Sequence, residues 1–303
     1  MALLQSKGGH LVGKRLRRCC WAAGFGLVLL LGIPAYPQPA QKPASAALVG
    51  SDSRWAQIRA RGRLRVGLDP SLGPAYLYTD LGRKAYAGFE WEILEAIAQT
   101  LEVRLEPVYI PWSQQLTALQ ADEVDLIWGA REGLGLDSQQ FLATRPYYLS
   151  PQRLVVRDPG QGEPPIQSLA QLFGRKVGIV VNSTGAALLE AYNERRGNPI
   201  RLFATSNPDR LFAQLQAGQL DAVLVDQPVA VLGLRQAGSR LRLVGPPLFP
   251  VPLVGVVSSQ HPSLKEAVDA AIAALAKNGT LQQILERWQL WEPTLMSPAL
   301  TGG

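Results

Sequence analysis

From Leu64 to Trp288 the chain alternates short apolar, β-branched runs with longer segments whose apolar residues return every three or four positions. That alternation confines it to α/β architectures in which helices cover both faces of mostly parallel sheets. The run 63–68 is closed by the turn formers Asp69 and Pro70, so a strand ends there at the mouth of a loop. Segment 88–101 spaces Phe89, Ile93, Leu94, Ile97 and Leu101 at helical intervals and turns Glu92, Glu95 and Gln99 outward, which predicts an amphipathic helix. A strand at 103–110, a helix at 112–119 and a buried strand at 124–128 continue the series.

The pattern breaks twice. A Gly/Pro-rich stretch, 158–165, follows a strand at 153–156, and a Pro-rich stretch, 245–252, follows a strand at 241–244. Between them run a helix at 168–173, a strand at 176–181, helices at 185–195 and 207–216, a strand at 221–225 and a segment at 228–236. A strand at 253–257 and helices at 263–276 and 280–288 follow the second break. Two breaks around a central block predict one lobe inserted into another. Two strands would cross between the lobes as a hinge, with a ligand cleft where strand ends face helix starts. The expected division gives lobe 1 residues 61–153 and 247–291, lobe 2 residues 154–246, and a tail at 292–303.

The amino terminus has a different character. Lys7, Lys14, Arg15, Arg17 and Arg18 fall within residues 1–18, which hold no acid, and an apolar run at 19–33 follows. This order reads as an export signal. At roughly 15 residues the apolar run is shorter than the ~20 needed to cross a bilayer as a helix. Export with cleavage, placed near Ala44-Ser45-Ala46, is therefore the reading, and a membrane tether through an uncleaved leader is the alternative. Residues 1–46 are assigned to the signal and 47–60 to a linker, the Pro-rich part acting as a flexible tether.

Residues 1–46 hold six of the 30 basic residues, Lys42 being the sixth, and none of the 24 acidic ones, leaving 24 of each beyond them. The net charge of +6 is thus a targeting feature, and nucleic-acid binding is excluded as a function class. Both cysteines, Cys19 and Cys20, also lie in the leader, so the mature chain has neither a disulfide nor a thiolate metal site. They precede the apolar run, where a lipidated cysteine would follow it. No cofactor or metal motif emerges.

Several residues are placed for binding by local chemistry alone. Ser183, Thr184 and Gly185 stand between a strand and a helix, where free backbone N–H groups and a hydroxyl make a carboxylate site; the plainer role is a helix cap. Asp226 ends an apolar strand and projects toward a crevice, or caps the helix entered through Pro228. Asp69 has the same strand-end placement, with a turn role equally open. Trp112, a lone aromatic at a helix start, either covers a ligand or joins the core. Tyr76 is a candidate for the opposite wall.

The ordered set of Leu64-Arg-Val-Gly-Leu-Asp69, Gly88-Phe89-Glu90, Pro111-Trp112, Val124-Asp125, Pro146-Tyr147-Tyr148, Asn182-Ser183-Thr184-Gly185, Leu220 to Asp226 and Gly279-Thr280-Leu281 resembles the extracytoplasmic solute-binding proteins that serve polar amino-acid ABC importers. The resemblance implies the two-lobed periplasmic-binding-protein fold, a ligand carboxylate held by Thr184, an α-amino group paired with Asp226, and Trp112 packed on the ligand. It departs from the family in the loop from Gly129 to Asp137. There Asp137 stands where the carboxylate-clamping arginine is expected, and Glu132 where a small hydroxyl residue is usual. Arg131, just after Gly129 and Ala130, is the candidate replacement, since a guanidinium fork grips a carboxylate through two parallel bonds; the alternative is that it points to solvent or pairs with Glu132 and the pocket prefers another solute.

The function expected from these residues is extracytoplasmic capture of a small polar, amino-acid-like solute by a monomer. Hinge closure and delivery to a membrane importer permease would follow, without cofactor or metal. Ligand sensing without transport is one alternative. A cleft enzyme such as a dehydratase, using Glu132 or Asp137, is another, weakened by the absence of a cysteine beyond the leader and of any nucleophile–base pair in the sequence.

Overall fold

The computed structural model describes residues 53–158 and 166–296. The expected export signal, residues 47–52, residues 159–165 of the first break and the tail from 297 lie outside the described residues. In chain order the elements are α1 (Arg54–Arg61), β1 (Arg63–Leu68), β2 (Tyr78–Asp80), β3 (Ala85–Ala87), α2 (Phe89–Thr100), β4 (Arg104–Tyr109), α3 (Gln115–Gln120), β5 (Leu126–Ile127), β6 (Phe141–Ala143) and β7 (Tyr148–Arg157). They continue as β8 (Lys176–Val180), α4 (Thr184–Glu194), β9 (Arg201–Thr205), α5 (Pro208–Gln216), β10 (Ala222–Asp226), α6 (Gln227–Ala237), β11 (Leu241–Leu253), β12 (Val256–Ser258), α7 (Pro262–Lys277) and α8 (Thr280–Arg287).

Two five-stranded sheets form, ordered β4-β1-β5-β12-β6 and β11-β7-β10-β8-β9, with β2 and β3 as a separate hairpin. Both sheets are mixed. β1 runs parallel to β4 and β5, and β8 parallel to β9 and β10. β12 pairs antiparallel with β5 and β6, and β7 antiparallel with β10 and β11. The antiparallel pairs arise where chain returns between the lobes, a feature that a pattern of βα units does not reveal.

β7 and β11 are those returning strands. Their register runs from Leu241↔Arg157 in the second sheet to Leu253↔Tyr148 beside the first, so this ribbon is the two-strand hinge. The Pro-rich segment read as a break is therefore strand. Its ladder shifts register between Val244 and Leu248 and again between Leu248 and Val251. Pro246, Pro247 and Pro250 fall within those shifts, where a missing N–H leaves no ladder bond unmade.

Ile93, Leu94 and Ile97 of α2 pack with Leu264, Val268 and Ile272 of α7 and Leu281 and Leu285 of α8 on one face of the first sheet. Ala118 and Leu119 of α3 pack with Ile127, Val254 and Val256 on the other. The second sheet is covered in the same way, by Leu189 of α4 on one face and by Leu211 and Leu215 of α5 on the other. Val231 of α6 joins the first-lobe cluster, so α6 bridges the lobes away from the cleft.

Other expectations shift. Residues 54–60, assigned to the linker, belong to α1, where Arg54 and Ile58 are buried and Arg61 joins Arg65 on the fully buried Asp125. An eight-residue helix with so few apolar residues has too little periodicity to stand out. Met296, assigned to the tail, is fully buried in the first-lobe core. The helix expected at 168–173 is a 3-10 turn at Leu169–Leu172, and Trp112–Gln114 is likewise a 3-10 turn leading into α3. No helix among the described residues is long and apolar enough to cross a membrane.

Candidate ligand-binding cleft

A cavity of about 430 Å³ opens between the sheets, within the range of small-molecule sites. Leu72, Tyr76, Trp112, Arg131 and Glu132 line it from the first lobe, and Ser183, Thr184 and Asp226 from the second. Ser150 and Val251 of the hinge strands form part of its wall.

Asp226 is the last residue of β10, which carries its carboxylate to the end of the sheet. Its backbone starts α6, but its side chain makes no cap bond. Instead Oδ2 accepts a 2.7 Å hydrogen bond from the Tyr76 hydroxyl across the cleft, and Oδ1 accepts from Gln152 Nε2 of β7. Burial, reinforced by the Asp226 charge, holds the Tyr76 phenol well above its ordinary pKa, so it stays a neutral donor. Tyr76 is fixed in turn by Gly88, whose φ of 119° no L side chain adopts easily and whose Cβ, if present, would lie 2.1 Å from the Tyr76 carbonyl oxygen.

Ser183 caps α4, accepting from Ala186 N at 3.1 Å and donating to Val180 O at 2.8 Å. Thr184, the first residue of that helix, points its hydroxyl into the cleft and gives it to the Glu132 carboxylate, 2.7 and 2.8 Å from the two oxygens. Glu132 is held for this contact because its neighbours are sewn to the end of β11: Gly133 N bonds Pro252 O and Val254 N bonds Arg131 O, each at 2.9 Å.

Arg131 is 6 % exposed, and its guanidinium carbon lies 3.7 Å from the centre of the Trp112 ring. Its Nη2 donates to the Trp112 carbonyl at 3.0 Å and to Gln115 Oε1 at 2.9 Å, while its buried Nε has no hydrogen-bond partner among the described residues. Desolvation lowers its pKa to about 10, so it remains a cation at neutral pH. Trp112 is 43 % exposed and therefore a wall of the cleft, covered on one face by Arg131.

Asp69 and Gly129 do not line the cavity. Asp69 Oδ1 accepts from the amide and hydroxyl of Ser71, and Oδ2 from Trp112 N at 2.7 Å, so this side chain positions Trp112. Gly129 (φ 114°) and Ala130 (φ 47°) make the tight bend that delivers Arg131. Asp137 lies in an exposed turn, accepting from Gln139 N at 3.0 Å, and does not line the cavity.

One buried acid behind the site carries no signal in the sequence beyond its place in Gly88-Phe89-Glu90. Glu90 is fully buried and accepts from Ala130 N at 2.8 Å and from the Tyr147 hydroxyl. Burial raises its pKa to about 7, with the Tyr147 and Ala130 bonds opposing the rise. Trp128 stacks on Tyr147 with centroids 4.1 Å apart and donates to the Glu90 carbonyl, closing the layer under the Arg131 loop.

Two α/β lobes on a two-strand hinge, with charged groups of both lobes meeting in one cleft, define a solute-binding protein of the periplasmic type. The chain belongs to the bacterial extracellular solute-binding proteins, family 3, whose model matches residues 64–290. It is 25% identical to the L-cystine-binding protein TcyJ of Escherichia coli K12 over 232 residues, covering 77% of this chain and 84% of that protein. It is 23% identical to the histidine-binding periplasmic protein of the same strain over 251 residues, covering 80% and 94%. Among solved structures, an ancestral cationic amino acid solute-binding protein shares the fold with a TM-score of 0.67 at 24% identity, covering 78% of this chain and 99% of that one.

Proposed function

We propose that the protein captures a small, amino-acid-sized solute bearing an amino group outside the cytoplasm and delivers it to an ABC importer permease. The observation that carries this reading is Asp226: a carboxylate at the end of β10, on the cavity wall, touched from the opposite lobe by Tyr76. An ammonium group entering there gains a charge-assisted bond to a partly buried carboxylate. Trp112, Arg131, Ser183 and Thr184 supply the rest of the contact surface; Asp69 and Gly129 act behind them. The names of the cystine- and histidine-binding relatives support a solute of this size.

Contacts that reach across the cleft, as Tyr76–Asp226 and Thr184–Glu132 do, exist only when the lobes are together. A ligand adding to them shifts the population toward closure, the shape an importer reads. The lobe division at 153/154 and 246/247, a monomeric state and export through residues 1–46 belong to the same reading. Binding rather than catalysis suits the acids: Glu132 is engaged by Thr184, and Asp137 does not line the cavity.

The test is a thermal-shift screen of the purified protein against amino acids, amines, organic acids and sugars. A solute that binds only the native state must raise the melting temperature. The reading requires a hit among amino-group-bearing solutes that is lost in Asp226→Asn. Hits confined to neutral sugars or organic acids would overturn it.

A further inference from the structure

Resting on that reading of the cleft, we infer that Glu132 selects the ligand class: it fills the carboxylate position at the start of α4 from within the protein, so the cleft takes an aliphatic amine with a second cationic group and no carboxylate. The start of a helix combines unpaired N–H groups with the positive end of the dipole, which suits an anion. In this protein the anion is Glu132, with both oxygens within 2.8 Å of the Thr184 hydroxyl. A ligand carboxylate brought to the same place meets a like charge, which disfavours both being ionised and close together.

Arg131 does not offset this. A guanidinium grips a carboxylate in parallel through Nη1 with Nη2, or through Nε with Nη2, and both arrangements need Nη2. Both Nη2 hydrogens are directed at protein oxygens, Trp112 O and Gln115 Oε1. The guanidinium is thus spent as the floor beneath Trp112.

The cavity then presents two carboxylates, Asp226 and Glu132, against one committed cation. Leu72, Leu116, Leu136 and Val251 supply apolar wall, a surface suited to methylenes. The hydroxyl of Ser150, a residue 3 % exposed on the same wall, has no hydrogen-bond partner among the described residues and is an acceptor for an ammonium N–H. Two acids, an apolar wall and a spare hydroxyl match an alkyl chain with a cation at each end.

Titration calorimetry on the purified full-length protein with matched pairs decides the matter: 1,5-diaminopentane against lysine, 1,4-diaminobutane against ornithine, and agmatine against arginine. The carboxylate-free member of at least one pair is expected to bind about tenfold or more tightly than its parent amino acid. Glu132→Thr, which puts a small hydroxyl in place of the acid, is expected to reverse that order. Glu132→Gln, which keeps shape and removes charge, is expected to weaken the diamine about tenfold. A single cooperative melting transition in each would show that both variants fold. An amino acid that binds wild-type protein as tightly as its amine overturns the inference and leaves the proposed function standing. No binding by either member of any pair sinks the inference, whereas the proposed function falls only if the wider screen finds no amino-group-bearing solute.

Discussion

The Tyr76 hydroxyl and the Asp226 carboxylate, 150 positions apart in sequence, meet at 2.7 Å across the cleft, one from each lobe. With the Thr184–Glu132 bond this contact ties the lobes together at the ligand cavity. On the far side of α6, Arg235 Nε reaches Gln289 Oε1 at 3.3 Å, and the Gln227 amide reaches Leu290 O. Closure is therefore held at two places.

Removing the cleft contacts alone should open the molecule. Tyr76→Phe combined with Thr184→Val deletes two hydrogen bonds to carboxylates, each worth about 1.5–3 kcal/mol. Small-angle X-ray scattering should record a larger radius of gyration than wild type under ligand-free conditions. An unchanged radius would assign closure to the α6 contacts.

Arg131→Ala should destabilise the first lobe by about 2–4 kcal/mol, because it strips the Trp112 ring of its cation and leaves the buried Gln115 carbonyl unpaired. Urea denaturation measures this directly. A loss below about 0.5 kcal/mol would mean that the contacts of Arg131 with Trp112 and Gln115 contribute little to stability.

Glu90 gives stability a pH dependence whose sign follows from its raised pKa. The folded protein binds its proton up to about pH 7, and the unfolded chain only up to the usual glutamate range near 4.5. The contribution is complete below about pH 4.5 and is lost as pH rises through 7, amounting to about 3 kcal/mol. Urea midpoints at pH 5 and pH 8 should differ accordingly, and Glu90→Gln should remove that part of the difference. An identical slope in the variant would locate the titration elsewhere.

Gly88→Ala should cost roughly 3 kcal/mol or more, since the added methyl meets the Tyr76 backbone at a φ that alanine resists. The expected outcome is a markedly lower melting temperature. A melting temperature near wild type would show that the turn at Tyr76 can move aside.

Much of the scaffold is legible from periodicity. The helix at Phe89–Thr100 and the strands at Lys176–Val180 and Ala222–Asp226 lie within a residue or two of where apolar spacing puts them. The hairpin of β2 and β3 and the strand β9 were missed. Three-residue strands carry too little pattern, and β9 is half-exposed, so its alternation gives no clear apolar face. The prolines at 246, 247 and 250 argued for a break, yet the shifted ladder with β7 accommodates them.

By itself the sequence determined the α/β class, the longer helices and buried strands, the strand-end position of Asp226 and the helix-start position of Thr184, because local periodicity and helix-start chemistry depend on neighbours in the chain. Only the tertiary structure decided what those groups touch. Glu132 rests on Thr184, Arg131 lies beneath Trp112 rather than paired with Glu132, and Glu90 sits behind Ala130. Each of the first and last of these contacts joins residues at least 40 positions apart, and the Arg131 stack spans 19. They exist because the hinge and the first-lobe packing bring separate loops to one place, a relation that no local spacing encodes.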